Sequence, residues 1–158
     1  KTPLAVFVGA IPGAIPFMLG WVAATNDFDI EPGTLFAIQF LWQFPHFWAI
    51  AWLAYDDYAK AGYFLLPTRK QDNSSAMQII VYTLWLVFVS IIPLLGFSGG
   101  LTLSWWAAIL IFALGIHLFL KALKLRRNQD SLSARTLMFA SIIYLPVVQI
   151  IYVVDRWL

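Results

Sequence analysis

Cysteine is absent from the chain, which excludes disulfides and thiolate metal sites. Charge is scarce: Asp, Glu, Lys and Arg supply 11 % of the residues, about half or less of the roughly 25 % usual in soluble domains. What fills the space is apolar. A chain of 158 residues that is 61 % hydrophobic cannot hide that much surface in one soluble core. Net charge is only +2, so nothing points to nucleic acid. A cleaved secretory signal does not explain the composition, because apolar runs of spanning length recur along the whole chain. These absences leave an integral membrane protein whose main partner is the lipid bilayer. The first residue is Lys1 rather than Met, and a piece of something longer is expected.

A spanning helix needs about 20 mostly apolar residues. Five segments qualify, at about 5–24, 33–55, 76–97, 101–123 and 136–156. They are too long for the alternating runs of about ten residues that build membrane barrels. The expected fold is therefore all-α, a polytopic membrane helix bundle with five transmembrane helices in one domain.

The links separate by charge. Link 25–32 carries Asp27, Asp29 and Glu31 and no Lys or Arg. Link 57–75 carries Lys60, Arg69 and Lys70, and link 121–135 carries Lys121, Lys124, Arg126, Arg127 and Arg135. The positive-inside rule then places both basic links in the cytoplasm and 25–32 and 98–100 outside. Lys1 falls inside and the C-terminus outside, with Arg156 the one mild dissent. Prolines interrupt several spans: Pro12 and Pro16, Pro45, Pro93 and Pro146. The stretch Gly9 to Gly13 has the small-xxx-small spacing that lets helices approach closely.

The second span carries the chemistry. At about 100° per residue, Gln39, Gln43, His46, Ile50, Leu53 and Asp57 fall within roughly 40° of one line. Polar groups in a membrane helix face the bundle interior or a wet cavity. An unbroken helix would set Asp57 about 16 Å from His46, at the cytoplasmic mouth of such a cavity. Asp56, Asp57, Lys60, Arg69 and Lys70 crowd the following link. Carboxylates hold Mg²⁺ while leaving room for water and phosphate, and Lys and Arg pair with phosphate oxygens. Both signs together suit a Mg²⁺–diphosphate site, although this link has too few carboxylates for a complete one. Bland readings compete: His46 bonded to a neighbouring helix, Gln39 and Gln43 as interhelical glue, the two aspartates as solvated helix-end charges. His117, and the face shared by Gln78, Tyr82 and Trp85, read first as interfacial or packing residues.

The blocks KTPLAVFVGAIPGAIPFMLGW (1–21), LWQFPHFWAIAWLAYDDYAKAGYFLLP (41–67), ASIIYLPVV (140–148) and DRWL (155–158) resemble the UbiA-type intramembrane prenyltransferases over essentially all of the chain. W-Q-x-P-H-F followed by D-Y-x-x-A-G-x-x-x-L-P is specific to the haem O branch. The resemblance implies a nine-helix bundle with a cytoplasmic mouth, in which the five spans are helices five to nine. It implies transfer of a farnesyl group from farnesyl diphosphate to a vinyl group of haem B, assisted by Mg²⁺. A bacterial inner membrane is the first expectation, with a mitochondrial inner membrane the alternative. Haem B is then a substrate rather than a cofactor. Haem A synthase or terminal oxidase assembly factors are the implied protein partners. Carried over by residue, Asp57, Asp56 and Lys60 are catalytic, and Asp57 with Asp56 forms part of the Mg²⁺ site. His46, Gln43, Gln39, Tyr58, Arg69 and Lys70 bind substrate, with ligation of haem iron by His46 left open.

Two departures stand out. A general UbiA enzyme shows two aspartates four apart where this chain has an adjacent pair. The family's first Asn/Asp-rich motif has no counterpart here, so this chain alone is expected to be inactive and function is expected of a longer parent. The rival readings are a UbiA-type enzyme acting on a quinone precursor such as 4-hydroxybenzoate, a transporter, and a haem-binding electron carrier. The histidine block disfavours the first. No internal repeat supports the second. The third would want paired axial ligands, and only His46 lies deep.

Overall fold

A computed structural model describes residues 3–158, so Lys1 lies outside the described residues. The elements are α1 (Leu4–Thr25), α2 (Ile30–Leu53), a short α3 (Tyr55–Lys60), α4 (Asn73–Val89), a 3₁₀ turn (Ile92–Leu95), α5 (Trp105–Asn128) and α6 (Ser131–Asp155). There is no strand among the described residues. The all-α bundle is as expected, and the five long helices fall on the five expected spans.

Their ends differ from the apolar runs for local reasons. Asp72, Ser104 and Asp130 cap α4, α5 and α6, each accepting a backbone N–H from three residues on. Leu101 and Leu103 are apolar but precede the Ser104 cap, so they are buried as an extended lead-in instead of helix. At the other end, α5 and α6 run past the apolar stretches and carry Lys124, Arg126, Arg127 and Arg135 in helical turns. Backbone hydrogen bonding is indifferent to the change of side chain, and cations suit the last turn of α5, where the macrodipole is negative. The third span is split: α4 stops at Val89 and Pro93 sits in the 3₁₀ turn. Pro12, Pro16, Pro45 and Pro146 lie inside continuous helices.

Helices α2, α4, α5 and α6 close a ring in which each packs on the next, and α1 lies against α2. Small residues line the seams, as close packing in lipid favours. A Cβ on Gly115 of α5 would come within 2.6 Å of Val87 on α4. The opposite face of α5 turns Ile109, Leu110, Phe112, Ile116 and Leu120 outward.

Among the described residues, four helices are long and apolar enough to cross a membrane: 4–25, 73–95, 105–128 and 131–155. Helix α2 has the length but is not among them. Its polar residues dilute it, and its position explains why they are tolerated. It packs on α1, α4 and α6 at once, and 11 of its 24 residues are buried against 3 of 22 in α1.

The acidic end of the bundle is tied by polar contacts to the neutral link 98–100. Glu31 accepts from the backbone N–H of Gly100, Arg156 donates to Gly100 O at 2.8 Å, and Asp155 accepts from the backbone and hydroxyl of Ser104. Gly99 has φ +56, and a Cβ there would strike the Glu31 carboxylate. Arg156, out of place on charge-sidedness alone, thus serves a loop carbonyl.

At the basic end, Asp72 Oδ1 accepts from Ser75 N and from Thr68 Oγ1, both at 2.8 Å. The Ser75 N–H first, then the Thr68 and Ser75 hydroxyls, hold its carboxyl below the ordinary value of 3.8. A depressed pKa in the folded state means that the cap contributes fully above 3.8 and fades as the pH falls through that value and below. Asp72→Ala should therefore lower stability by about 1 kcal/mol at neutral pH. The gap to the unsubstituted protein should close in acid, read as thermal unfolding in detergent across a pH series.

Candidate functional site

The polar stripe of α2 faces two neighbours. Toward α1, Gln43 is buried, and its Nε2 donates to Ala10 O at 2.9 Å and to Gln39 O at 3.3 Å. The amide occupies the space a side chain at residue 13 would need, since a Cβ on Gly13 would collide with Gln43 Oε1. The small-xxx-small pattern thus acts through one of its two glycines, because Gly9 has open space. Gln43 is interhelical glue through its nitrogen, and the same side chain lines a cavity of 420 Å³. That cavity runs past Gly9, Phe47 and Ile50 to Tyr58 on α3.

Toward α6, the His46 ring stacks on Trp42 at 4.5 Å with 15° between planes. Its Nδ1 lies 2.9 Å from Ser141 Oγ, and Trp42 Nε1 donates to Ser141 O at 2.7 Å. Gln39 sits between the two directions. It is 7 % exposed, and its Oε1 has no hydrogen-bond partner. It borders a void of 20 Å³ shared with Gln149 and Tyr152, room for about one water with polar neighbours.

The acidic motif departs from a continuous helical stripe. Helix α2 passes through Pro45 unbroken but ends at Leu53, where Ala54 leaves helical geometry (φ −98°, ψ 26°). Asp56 and Asp57 therefore belong to the separate α3, and the straight path of about 16 Å from His46 to Asp57 does not apply. Both aspartates are exposed. Asp57 pairs with Lys60 at 3.5 Å, with side chains 83 % and 78 % exposed, an ion pair weak enough in water to exchange for a stronger ligand.

Arg69 and Lys70 are exposed and bonded through their backbones. Arg69 O accepts from Tyr55 Oη at 3.0 Å, and Lys70 O accepts from Ser75 Oγ at 2.9 Å. Among the described residues no group of three or more His, Asp or Glu could hold a metal. The Asp56–Asp57 pair is at most part of such a site.

The structure thus brings Gln43 and Tyr58 to one cavity, with Asp57 next to Tyr58 in sequence. It sets His46 on the α6 side and leaves Arg69 and Lys70 on the loop surface. His117 is exposed. Tyr82 packs against Phe44 and Trp48 at 4.3 and 5.0 Å between ring centres, and with Gln78 it lines a separate void of 180 Å³. Sequence reasoning missed Ser141 and Trp42. The available signal was a serine inside the apolar run 136–156, where a hydroxyl needs a partner.

The contact between Gly13 and Gln43 is testable by a double-mutant cycle. Gly13→Ala should cost about 1–3 kcal/mol of stability by overpacking. Adding Gln43→Ala should recover most of that loss, because the colliding amide is gone. Thermal unfolding of the four proteins in detergent measures the coupling, and additive effects would place the two residues apart.

The model of the UbiA prenyltransferase family matches residues 1–143. The chain is 55 % identical over 157 residues to the protoheme IX farnesyltransferase of Flavobacterium psychrophilum, covering 99 % of this chain and 52 % of that protein. It is 56 % identical over 158 residues to that of Christiangramia forsetii, covering 100 % and 53 %. To that of Solibacter usitatus it is 42 % identical over 151 residues, covering 94 % and 50 %. The chain spans about half the length of these curated relatives and corresponds to their C-terminal half. No solved structure matches. A match over most of the chain, with relatives this similar, makes the chain a member of the UbiA prenyltransferase family.

Proposed function

We propose that the parent protein transfers the farnesyl group of farnesyl diphosphate to a vinyl group of haem B, giving haem O for terminal oxidase assembly. The relatives' name supports this, and one observation in this chain carries it: helix α2 turns a half-buried imidazole toward α6 and, toward α1, the Gln43 amide onto a cavity that runs to Tyr58, next in sequence to the carboxylate pair at the basic end. A porphyrin and a diphosphate need those two environments at once. We place the diphosphate end in the cytoplasm, where the charge-sidedness of the links puts it, and the protein in a bacterial inner membrane.

Asp56 and Asp57 fit a share of a Mg²⁺ site: hard oxygen donors, exposed, with no competing thiolate. When bound, Mg²⁺ neutralises charge on the departing diphosphate. Asp57 and Asp56 would hold it, with the remaining ligands coming from the half of the protein that this chain does not span. Lys60, released from Asp57, would face phosphate oxygens, and Arg69 and Lys70 would meet the same anion from the link. The C1–O bond of farnesyl diphosphate breaks with its electron pair going to diphosphate, the vinyl π electrons form the new C–C bond to the allylic cation, and the cation this leaves on the other vinyl carbon takes up water and loses a proton. Tyr58 and Gln43 would border the isoprenoid in the 420 Å³ cavity, whose lining is mostly apolar. His46, its ring held by the stack on Trp42, and Gln39 would position the porphyrin.

The test uses the full-length parent expressed in a membrane without its own haem O synthesis. Extracted haems, identified by mass, should include a farnesylated product. Asp57→Ala should lower its yield roughly 100-fold, the scale of losing one stabiliser of leaving-group charge, and His46→Ala should also suppress it. Unchanged synthesis by Asp57→Ala would sink the site assignment. Unmodified haem B alone, from well-folded unsubstituted protein, would sink the reaction.

A further inference from the structure

The His46–Ser141 contact settles a proton. Ser141 Oγ is fully buried and has two polar neighbours, Met138 O at 2.6 Å and His46 Nδ1 at 2.9 Å. The hydroxyl has one hydrogen, and a carbonyl oxygen can only accept. The hydrogen must therefore go to Met138 O, and the bond between Ser141 and His46 must use a hydrogen on Nδ1. A neutral imidazole with its proton on Nδ1 has its lone pair on Nε2. Among the described residues Nε2 has no hydrogen-bond partner. Unlike Gln39 Oε1 and Trp48 Nε1, it is not a sealed, unpartnered atom. The ring cannot easily turn away, because it is stacked on Trp42, and the Trp42 indole is itself anchored to Ser141 O.

We propose that Ser141 is a positioning residue that fixes His46 as the Nδ1–H tautomer and so offers its Nε2 lone pair to the iron of a bound haem. The tautomer follows from the hydrogen bonds alone, and the iron ligation rests on the function proposed above. Metal-binding imidazoles commonly donate their other N–H to an oxygen that sets tautomer and ring orientation, and a neutral histidine is an ordinary axial ligand of haem. Ser141 on α6 takes that outer role from 95 residues away in the chain. The residue touches His46, not the substrate, so its removal should act through the ring.

The experiment uses the full-length protein in lipid nanodiscs, labelled with ¹⁵N-histidine, with the His46 signals identified by their loss in His46→Ala. Without haem, the ¹⁵N spectrum should show a protonated Nδ1 and an unprotonated Nε2. Ser141→Ala should mix the two tautomers, and Ser141→Thr, which keeps the hydroxyl, should preserve the original one. With haem B added, the unsubstituted and Ser141→Thr proteins should share a histidine-ligated absorption spectrum, whereas Ser141→Ala should bind about 10-fold more weakly. An unprotonated Nδ1 in the unsubstituted protein would overturn the positioning role, whatever the protein synthesises. The expected tautomer with equal haem affinity in Ser141→Ala would overturn its consequence for ligation. The expected tautomer and affinity loss, with no farnesylated haem made by the parent, would support Ser141 and reject the reaction instead.

Discussion

Lipid offers no hydrogen bonds, and α2 carries two amides, an imidazole and a proline through the middle of the chain's apolar sequence. Most of the tertiary arrangement can be traced to the need to shelter that one helix. Three other helices pack on it, and the three most apolar of the remaining spans close a ring with it or around it. The polar groups then find partners on the shielding helices: Gln43 on Ala10 O, His46 on the Ser141 hydroxyl, the Trp42 indole on Ser141 O. A Gln left unsupported in hydrocarbon would cost several kcal/mol. Packed this way, the same groups stitch α1 and α6 to a common centre.

The two ends of the bundle use different means. At the acidic end, Glu31, Asp155 and Arg156 converge on Ser104 and the neighbouring glycine link, so carboxylates and a guanidinium substitute for the order a regular helix would give. At the basic end, Asp72, Thr68 and Ser75 form a compact cap beneath the link. Asp56, Asp57, Lys60, Arg69 and Lys70 are left in water. That contrast has a functional sense. Charges engaged in structure are costly to recruit for a ligand, whereas the exposed pair Asp57–Lys60 exchanges partners cheaply. Within the proposed site this chain supplies two adjacent carboxylates, and the chain spans about half the length of its relatives.

The break at Ala54 separates the two ends of the proposed site. On a single long helix, imidazole and carboxylates would be rigidly coupled. With α3 a separate short segment, the carboxylates take a direction of their own, although Ala54 N donates to Ile50 O and Tyr58 N to Ala54 O across the joint. Tyr58 and Gln43, on either side of the break, border the same cavity, so the apolar channel between them spans the joint.

From the sequence alone came the helical membrane class, the positions of five long helices, and the polar residues Gln39, Gln43 and His46 on the second of them. Hydropathy and the 3.6-residue period determine these, because both act over one or two turns of local chain. Caps refined the boundaries for an equally local reason, at Ser104 and Asp130. Tertiary structure alone decided that the stripe divides between α1 and α6, that Gly13 rather than Gly9 makes the close approach, and that Ser141 holds His46. It also decided which helices close the ring. Each of those depends on side chains 30 to nearly 100 residues apart meeting in space. No periodicity within one helix encodes which neighbour its polar face will find.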